Sequence, residues 1–305
     1  MTNYLFKEEQ DISNAFNKNG YIIKNINNIS SLEYIKNKIV RVIKKKINLK
    51  KKIDDIYLLN NIHKFIEVKD LNNFRLFVIN EINSDNLFRT HYYKLSRPYL
   101  DYIVGNELVM QIKINLSIQF PLDDSSLLAT HADTWSGDSP YEAVVWLPLV
   151  DCYKSKTMYL LPPKETKKII ENFSKKRLDN SETLYKKIKK KVEWINIKYG
   201  EVLIFDQAMP HGNRINREKE TRWSFNCRFK SLFSPYGDKK IGEFFQPITM
   251  KPITKKAISF KFPKWKKKYL EATFLAENLW GKEFHKTFKI CLSEIFVIKK
   301  TFNIS

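Results

Sequence analysis

Two segments in which polar and apolar side chains alternate constrain most strongly how this chain can fold. They cover residues 111–120 and 221–229. Their polar members are Gln111, Lys113, Asn115, Ser117 and Gln119 in the first, and Arg222, Ser224, Asn226 and Arg228 in the second. Because successive side chains of a strand point to opposite faces, a period of two predicts strands with one polar and one apolar face. The polar face of the first strand is either a solvent-facing edge or the lining of a cavity.

Shorter apolar segments predict further strands, and Gly- and Pro-containing turns separate them. These strands are expected over residues 21–24, 141–150, 157–161 and 201–206, with a loop over 207–213. Helical patterns occur at 11–19, from 30 to about 46, and over parts of 53–105 and 164–191. Many short strands with one helical insert are typical of an antiparallel jelly-roll. The predicted class is mainly β with α: a jelly-roll or cupin-like barrel with N-terminal helices and a helical insert.

The chain shows no internal repeat and no low-complexity linker, so we predict a single domain over residues 1–305. Residues 1–105 would be an N-terminal helical support, and residues 106–250 the β core with the insert at 164–191. Residues 251–305 would be a basic C-terminal extension. A hydrophobic content of 43% is typical of a globular protein and excludes a disordered chain.

The formal net charge of +21 would suit nucleic acid or an anionic membrane surface. The lysine runs are scattered over several segments, however, and none forms a nucleic-acid-binding motif. We interpret the charge as compositional bias or a preference for anionic substrates, and expect no specific nucleic-acid partner. Residues 260–269, which are basic and aromatic, come nearest to a nucleic-acid-binding pattern and keep a basic binding protein as an alternative.

Three cysteines, Cys152, Cys227 and Cys291, lie far apart and form no Cys-x-x-Cys motif, as is typical of a reducing cytoplasm. The N-terminus carries acidic residues where a signal peptide would have an apolar core. No run approaches the roughly 18 apolar residues that a membrane span needs. The sequence therefore predicts a soluble, cytoplasmic protein with no membrane span.

Candidate metal ligands occur in the segment His131-Ala132-Asp133. In an extended segment His131 and Asp133 share a face, which offers two of the three ligands of a 2-His-1-carboxylate Fe(II) site. His211 follows an apolar strand and supplies a second imidazole. Ten residues separate it from Arg222, which shares a strand face with Ser224. A guanidinium and a hydroxyl placed in this way can hold a carboxylate.

In this order of residues the sequence resembles the Fe(II)/2-oxoglutarate-dependent dioxygenases, which have His-x-Asp, a distant His, then Arg, in some members Arg-x-Ser. Residues 16–21 are similar to the helix–Gly–Tyr–strand opening of the phytanoyl-CoA-hydroxylase-like branch. Residues 131–161 and 200–229 look closest to the streptomycin-biosynthesis-type oxygenases of bacterial carbohydrate gene clusters. The resemblance covers about residues 106–235, extends loosely to the N-terminal helices and does not include residues 251–305.

The resemblance implies a double-stranded β-helix and assigns a role to each candidate residue. The residues that would bind Fe(II) are His131, Asp133 and His211. Arg222 would pair with the distal carboxylate of 2-oxoglutarate, with help from Ser224, and Gln119 would contact this co-substrate from the neighbouring strand. Asp133 argues against the halogenating variant of the family, which has Gly or Ala there.

In the family, O₂ and 2-oxoglutarate give succinate, CO₂ and an oxidant that takes hydrogen from an unactivated C–H bond. The resemblance thus implies an oxygenase that oxidises a polar small molecule; hydroxylation is the favoured reaction, and desaturation and epimerisation stay open. The closeness of this sequence to the carbohydrate-cluster branch implies a sugar, nucleotide-sugar or glycan component as the substrate.

Other interpretations stay open at this stage. A cupin-type isomerase or a zinc hydrolase would use the same barrel and ligands, but would not need the pair of Arg222 and Ser224. Arg228 shares the face of Arg222 and competes with it as the anion-binding group, although the spacing favours Arg222. Further candidate pocket residues are Asn115, Asn226, Trp135 and Trp146, and core packing suits the two tryptophans better.

Overall fold

The computed structural model describes residues 4–173 and 180–260. Its helices are α1 (Lys7–Asn19), α2 (Ile29–Lys46), α3 (Asp55–Asn60), α4 (Leu71–Asn83), α5 (Asn86–Ile103), α6 (Pro163–Phe173), α7 (Ser181–Ile188) and α8 (Pro252–Ser259). Most of them precede the first strand of the predicted core, and α6 and α7 lie in the stretch predicted as a helical insert. Cys291 and residues 261–305 of the predicted extension lie outside the described residues.

The strands form two antiparallel sheets. They are β1 (Tyr21–Asn25), β2 (Leu108–Gln111), β3 (Asn115–Gln119), β4 (Glu142–Pro148), β5 (Met158–Leu160), β6 (Glu193–Trp194), β7 (Glu201–Asp206), β8 (His211–Asn213), β9 (Arg222–Ser231) and β10 (Phe245–Pro247). The large sheet has the order β1-β7-β4-β9-β2-β10, with β3 also paired to β9, and the small sheet has the order β6-β5-β8. β8 occupies the last three residues of the segment predicted as a loop, so that prediction was wrong for residues 211–213.

The architecture is a mixture of helices and antiparallel sheets, with a larger helical share than the predicted class of mainly β with α implies. The N-terminal support contributes two helices of 18 residues each, α2 and α5. No described strand is longer than the ten residues of β9. The single-domain organisation stays a prediction. In the described part of the chain, no helix is both long enough and apolar enough to cross a membrane.

Local side chains explain where α2 begins. We predicted a start at residue 30, but the helix begins at Ile29. The side chain of Asn28 accepts a hydrogen bond from the backbone N–H of Ser31 at 2.9 Å. Asn is among the preferred N-cap residues, because its side-chain oxygen satisfies a free N–H of the first turn.

The alternating segment at residues 111–120 is divided between the end of β2, at Gln111, and the whole of β3, instead of forming the one strand predicted. β2 and β3 both pair with β9, in registers that leave two extra residues between them. Asn83 of α4 satisfies the backbone at this bulge: it accepts from Ile114 N at 2.8 Å and donates to Ile114 O at 3.1 Å. An even number of extra residues preserves which face each side chain takes. Asn115 and Ser117 therefore line a cavity together with the polar face of β9.

The apolar face of β9 packs against the N-terminal helices. Trp223 contacts Phe74 of α4 edge to face, and Phe225 contacts Phe88 of α5 in the same way, with ring centroids 6.1 and 5.8 Å apart. One cluster of buried apolar side chains joins α1–α5 with the large sheet. The helices thus support one face of the sheet, and the opposite face of β9 is left for polar side chains.

Candidate metal and anion site

The three predicted metal ligands lie together. Each of His131, Asp133 and His211 offers one ligand atom, a ring nitrogen or a carboxylate oxygen. These three atoms lie within 4.8 Å of one another. His131 and His211 form an antiparallel β-bridge, in which the N–H of each donates to the carbonyl of the other at 3.0 and 2.7 Å. Asp133 begins a short 3-10 turn, and its Oδ1 lies 3.4 Å from His131 Nε2. This set has the composition of a 2-His-1-carboxylate metal site.

Both imidazoles are oriented by backbone carbonyls. Nδ1 of His131 lies 2.7 Å from the carbonyl oxygen of Ala129, and Nδ1 of His211 lies 2.9 Å from that of Met209. A carbonyl oxygen only accepts hydrogen bonds, so we assign the proton of each ring to Nδ1. Each Nε2 then keeps the lone pair that binds a metal, and the hydrogen bond fixes the ring plane.

The surroundings hold two of the three ligands, His211 and Asp133, in their metal-binding protonation states. Burial lowers the pKa of His211 to about 4, so this imidazole is neutral at pH 7. Burial would also lower the pKa of His131, but hydrogen bonds to Asp133 and Ala129 raise it above its ordinary value. Burial alone would raise the pKa of Asp133, but His131, His211 and Arg228 together hold it well below its usual range. The carboxylate is therefore ionised.

Arg228 pairs with the ligand carboxylate. Its Nη2 lies 2.8 Å from Asp133 Oδ2, and its Nε donates to Gln207 Oε1 at 3.1 Å. The two oxygens of Asp133 thus have different neighbours, since Oδ1 faces His131 and Oδ2 faces the guanidinium. The sequence left Arg228 as a competitor of Arg222 for an anion. In the structure its guanidinium is instead paired with the Asp133 carboxylate.

Arg222 forms the second part of the site. It is 2% exposed; Nη1 donates to the carbonyl of Thr157 at 3.0 Å, and Nη2 donates to Ser117 Oγ at 2.9 Å. Burial lowers its pKa to about 10, which leaves it charged at neutral pH. Among the described residues, its Nε, Ser224 Oγ and Thr157 Oγ1 are buried without a hydrogen-bond partner. A buried polar group in this state costs about 1–3 kcal/mol, so these groups indicate a site prepared for a polar ligand.

One cavity of about 480 Å³ contains the predicted ligands and the arginines. Its lining includes His131, Asp133, His211, Arg222, Ser224, Arg228, Asn115, Asn226 and Trp146. Gln119, which we predicted to contact a co-substrate, does not belong to the lining. It is fully buried, and its Nε2 donates to the carbonyl of Arg214 at 2.7 Å. Trp135, another candidate, also lies outside the lining and is 41% exposed. Thr157 and Ser117 are contacts of Arg222 that the sequence did not indicate.

Gly212 allows neighbouring segments of the chain to approach closely beside His211. A Cβ at this position would lie 2.7 Å from the Tyr159 hydroxyl and 2.8 Å from the Leu128 carbonyl oxygen. The backbone near Leu128 would have to move, and His131 is close to it in the sequence. We therefore expect Gly212→Ala to lower the free energy of unfolding by about 1–3 kcal/mol and to weaken metal binding. Denaturant unfolding and metal titration measure the two effects, and unchanged values would mean that the strand accommodates the methyl group.

No protein-family model matches the chain, and no curated protein matches it. Among solved structures, it is similar to the non-heme monooxygenase ThoJ in complex with Ni, with 14% identity and a TM-score of 0.45 over 96% of this chain and 99% of that one. It is also similar to HygX from Streptomyces hygroscopicus with nickel and 2-oxoglutarate bound, at 12% identity and a TM-score of 0.44 over 78% and 90%. A third similar structure is EctD from S. alaskensis with 2-oxoglutarate and 5-hydroxyectoine. Its sequence identity is 12% and its TM-score 0.47, over 77% of this chain and 80% of that one. Likenesses at this level assign no function to the chain.

Proposed function

We propose that this chain is a non-haem Fe(II)- and 2-oxoglutarate-dependent oxygenase. The observation that carries the proposal is the presence, in one cavity, of the His131, Asp133 and His211 cluster and a buried, charged Arg222. Among the described residues, no carboxylate pairs with Arg222. Three protein ligands leave coordination sites for a bidentate 2-oxo acid and O₂. The second carboxylate of 2-oxoglutarate supplies the anion that Arg222 requires.

The anion-binding part favours this oxygenase over the other metal enzymes. An isomerase or a zinc hydrolase could use the same ligands, but it would not need a buried guanidinium in the cavity together with the unpartnered hydroxyl of Ser224. Bound Fe(II), with 2-oxoglutarate and O₂, supplies an oxidant for an unactivated C–H bond. Arg222 and Ser224 would bind and orient the co-substrate, and Arg228 would hold the Asp133 carboxylate. Phe205 and Met158 line the same cavity with apolar side chains.

We further propose that the two antiparallel sheets are the halves of a double-stranded β-helix. Both sheets contribute to the cavity lining, since β9 provides Arg222 and β8 provides His211. The β-bridge between His131 and His211 adds an extended segment beside β8. A cavity lined by both sheets supports this proposal, because a jelly-roll core would have its site between the two sheets.

For the substrate we propose a polar small molecule, a sugar, nucleotide-sugar or glycan component, that is hydroxylated in the cytoplasm. Support comes from Asn115, Asn226, Ser125 and Ser126, which line the cavity with groups able to pair with hydroxyls. No specific nucleic acid takes part in the proposed reaction.

The wild-type chain tests the proposal directly. Anaerobic titration should show about one Fe(II) bound per chain, as expected for one 2-His-1-carboxylate site. After O₂ is admitted, the iron-loaded chain should form succinate from 2-oxoglutarate, even slowly and without a substrate. The same chain loaded with Zn(II) is the matched control, because Zn(II) can occupy the ligands but has no redox chemistry. Iron binding without succinate formation would point to another metal enzyme.

A further inference from the structure

The charges that line the cavity are unbalanced. Three arginines, Arg75, Arg222 and Arg228, belong to its lining, whereas Asp133 is the only carboxylate among the described lining residues. One carboxylate does not neutralise three guanidinium groups, and the low-dielectric walls of a cavity strengthen the resulting field. The cavity therefore favours anionic molecules over neutral ones.

Two of the three arginines already have roles. Arg228 is held by Asp133 at 2.8 Å. Arg222, under the proposed function, binds the distal carboxylate of 2-oxoglutarate. Fe(II) and 2-oxoglutarate carry opposite charges of equal size, so loading the site with both leaves the positive excess in place. Arg75 is then the cation whose charge neither the metal site nor the co-substrate uses.

The position and contacts of Arg75 suit the binding of an oxyanion. It lies on α4, and Ile79, one turn further along the same helix face, also lines the cavity. Its Nη2 donates to Asn72 Oδ1 of the same helix at 2.8 Å. Within residues 4–173 and 180–260, no carboxylate forms an ion pair with it, whereas Arg214 is paired with Glu182 at 2.7 Å. A guanidinium has five N–H donors in a fork that matches carboxylate and phosphate oxygens, so most of its donors remain available.

Neighbouring side chains would hold the rest of such a molecule. α4 packs against β3, which carries Asn115, and the Nδ2 of Asn115 donates to Asn226 Oδ1 at 2.9 Å. Both amides line the cavity and keep further donors and acceptors. We propose that the substrate of this site carries a phosphate or carboxylate group that Arg75 binds, with its uncharged polar part against Asn115 and Asn226. The proposal rests on the proposed function for the statement that this molecule is the one oxidised.

Inorganic phosphate is the probe. The chain, loaded with Zn(II) and 2-oxoglutarate so that Arg222 is engaged, is titrated with phosphate and followed by ³¹P NMR line broadening. We expect saturable binding that is about tenfold or more weaker in Arg75→Gln, as for the loss of a charged hydrogen-bonding partner. Arg75→Lys should bind with intermediate affinity. Arg97→Gln, on the exposed side of α5 and outside the cavity lining, is the matched control and should bind as the wild type does.

Equal phosphate binding by the wild type and Arg75→Gln, or no saturable binding by the wild type, would overturn the proposal. Competition by acetate then distinguishes the two anions: stronger competition by acetate than by neutral acetamide assigns a carboxylate site, and its absence assigns phosphate. Zn(II) and 2-oxoglutarate affinities, measured on the same variants, keep the two proposals apart. Failure of 2-oxoglutarate to bind the wild type would contradict the proposed function, and phosphate binding that depends on Arg75 would still be measurable without it.

Discussion

Arg222→Ala is expected to raise the 2-oxoglutarate concentration for half-saturation by about a hundredfold or more, because removing one half of a buried charge pair costs about 3–5 kcal/mol. Arg222 is buried and stays protonated, since burial lowers its pKa only to about 10. Its hydrogen bonds to Thr157 and Ser117 fix the guanidinium before a ligand arrives. A carboxylate that meets this fixed fork needs little further ordering of the protein.

Succinate formation at increasing 2-oxoglutarate concentration is the measurement. Fe(II) affinity should be unchanged in Arg222→Ala, because the guanidinium is not one of the metal ligands, and it serves as the control for an intact cavity. Arg222→Lys should recover only part of the loss, since a point charge does not replace the planar fork. Ser224→Ala should have a smaller effect, of about tenfold. If Arg222→Ala and Ser224→Ala both left the 2-oxoglutarate concentration for half-saturation unchanged, the co-substrate would not be 2-oxoglutarate.

The sequence predicts the faces of strands better than their ends. The period of two in residues 221–229 assigns Arg222, Ser224, Asn226 and Arg228 to one face, and all four line the cavity. The same parity places Gln119 on the face of Ser117, yet Gln119 lies beyond the lining and contacts the Arg214 carbonyl. Parity follows from backbone geometry, whereas the extent of a cavity depends on tertiary packing, which local patterns do not contain.

Contacts between distant segments account for most of what the sequence did not indicate. The break between β2 and β3 depends on Asn83 of α4, whose amide satisfies the backbone of Ile114. The pair of Arg228 and Asp133 joins a strand to a turn that is far away in the sequence. The contact of Arg222 with Thr157 uses a backbone carbonyl, which every residue type has. His-x-Asp, in contrast, was predictable because its two ligands are fixed by one short segment.

Loss of metal binding is expected to be largest for Asp133→Ala. Asp133 is the only anionic ligand of the three, and its pKa, held well below its usual range, keeps it ionised. Alanine removes this ligand. It also leaves Arg228, which lies 2.8 Å from Asp133 Oδ2 in the wild type, without its partner beside the metal. The site would then consist of two imidazoles and an uncompensated guanidinium. We expect Fe(II) affinity to fall by about a hundredfold or more, as for breaking a buried ion pair.

A double-mutant cycle separates the two causes of this loss. Arg228→Ala alone should weaken Fe(II) binding by about 10- to 100-fold, because it removes the group that orients the carboxylate. In the Asp133→Ala background, the same change should instead restore some affinity, since it removes the unpaired positive charge. Anaerobic Fe(II) titration of the four proteins measures the cycle, with Ser224→Ala as a cavity variant that should bind iron normally. Unchanged affinity in Asp133→Ala would reject the ligand assignment. A further loss on adding Arg228→Ala would mean that Arg228 supports the site other than through its pairing with Asp133.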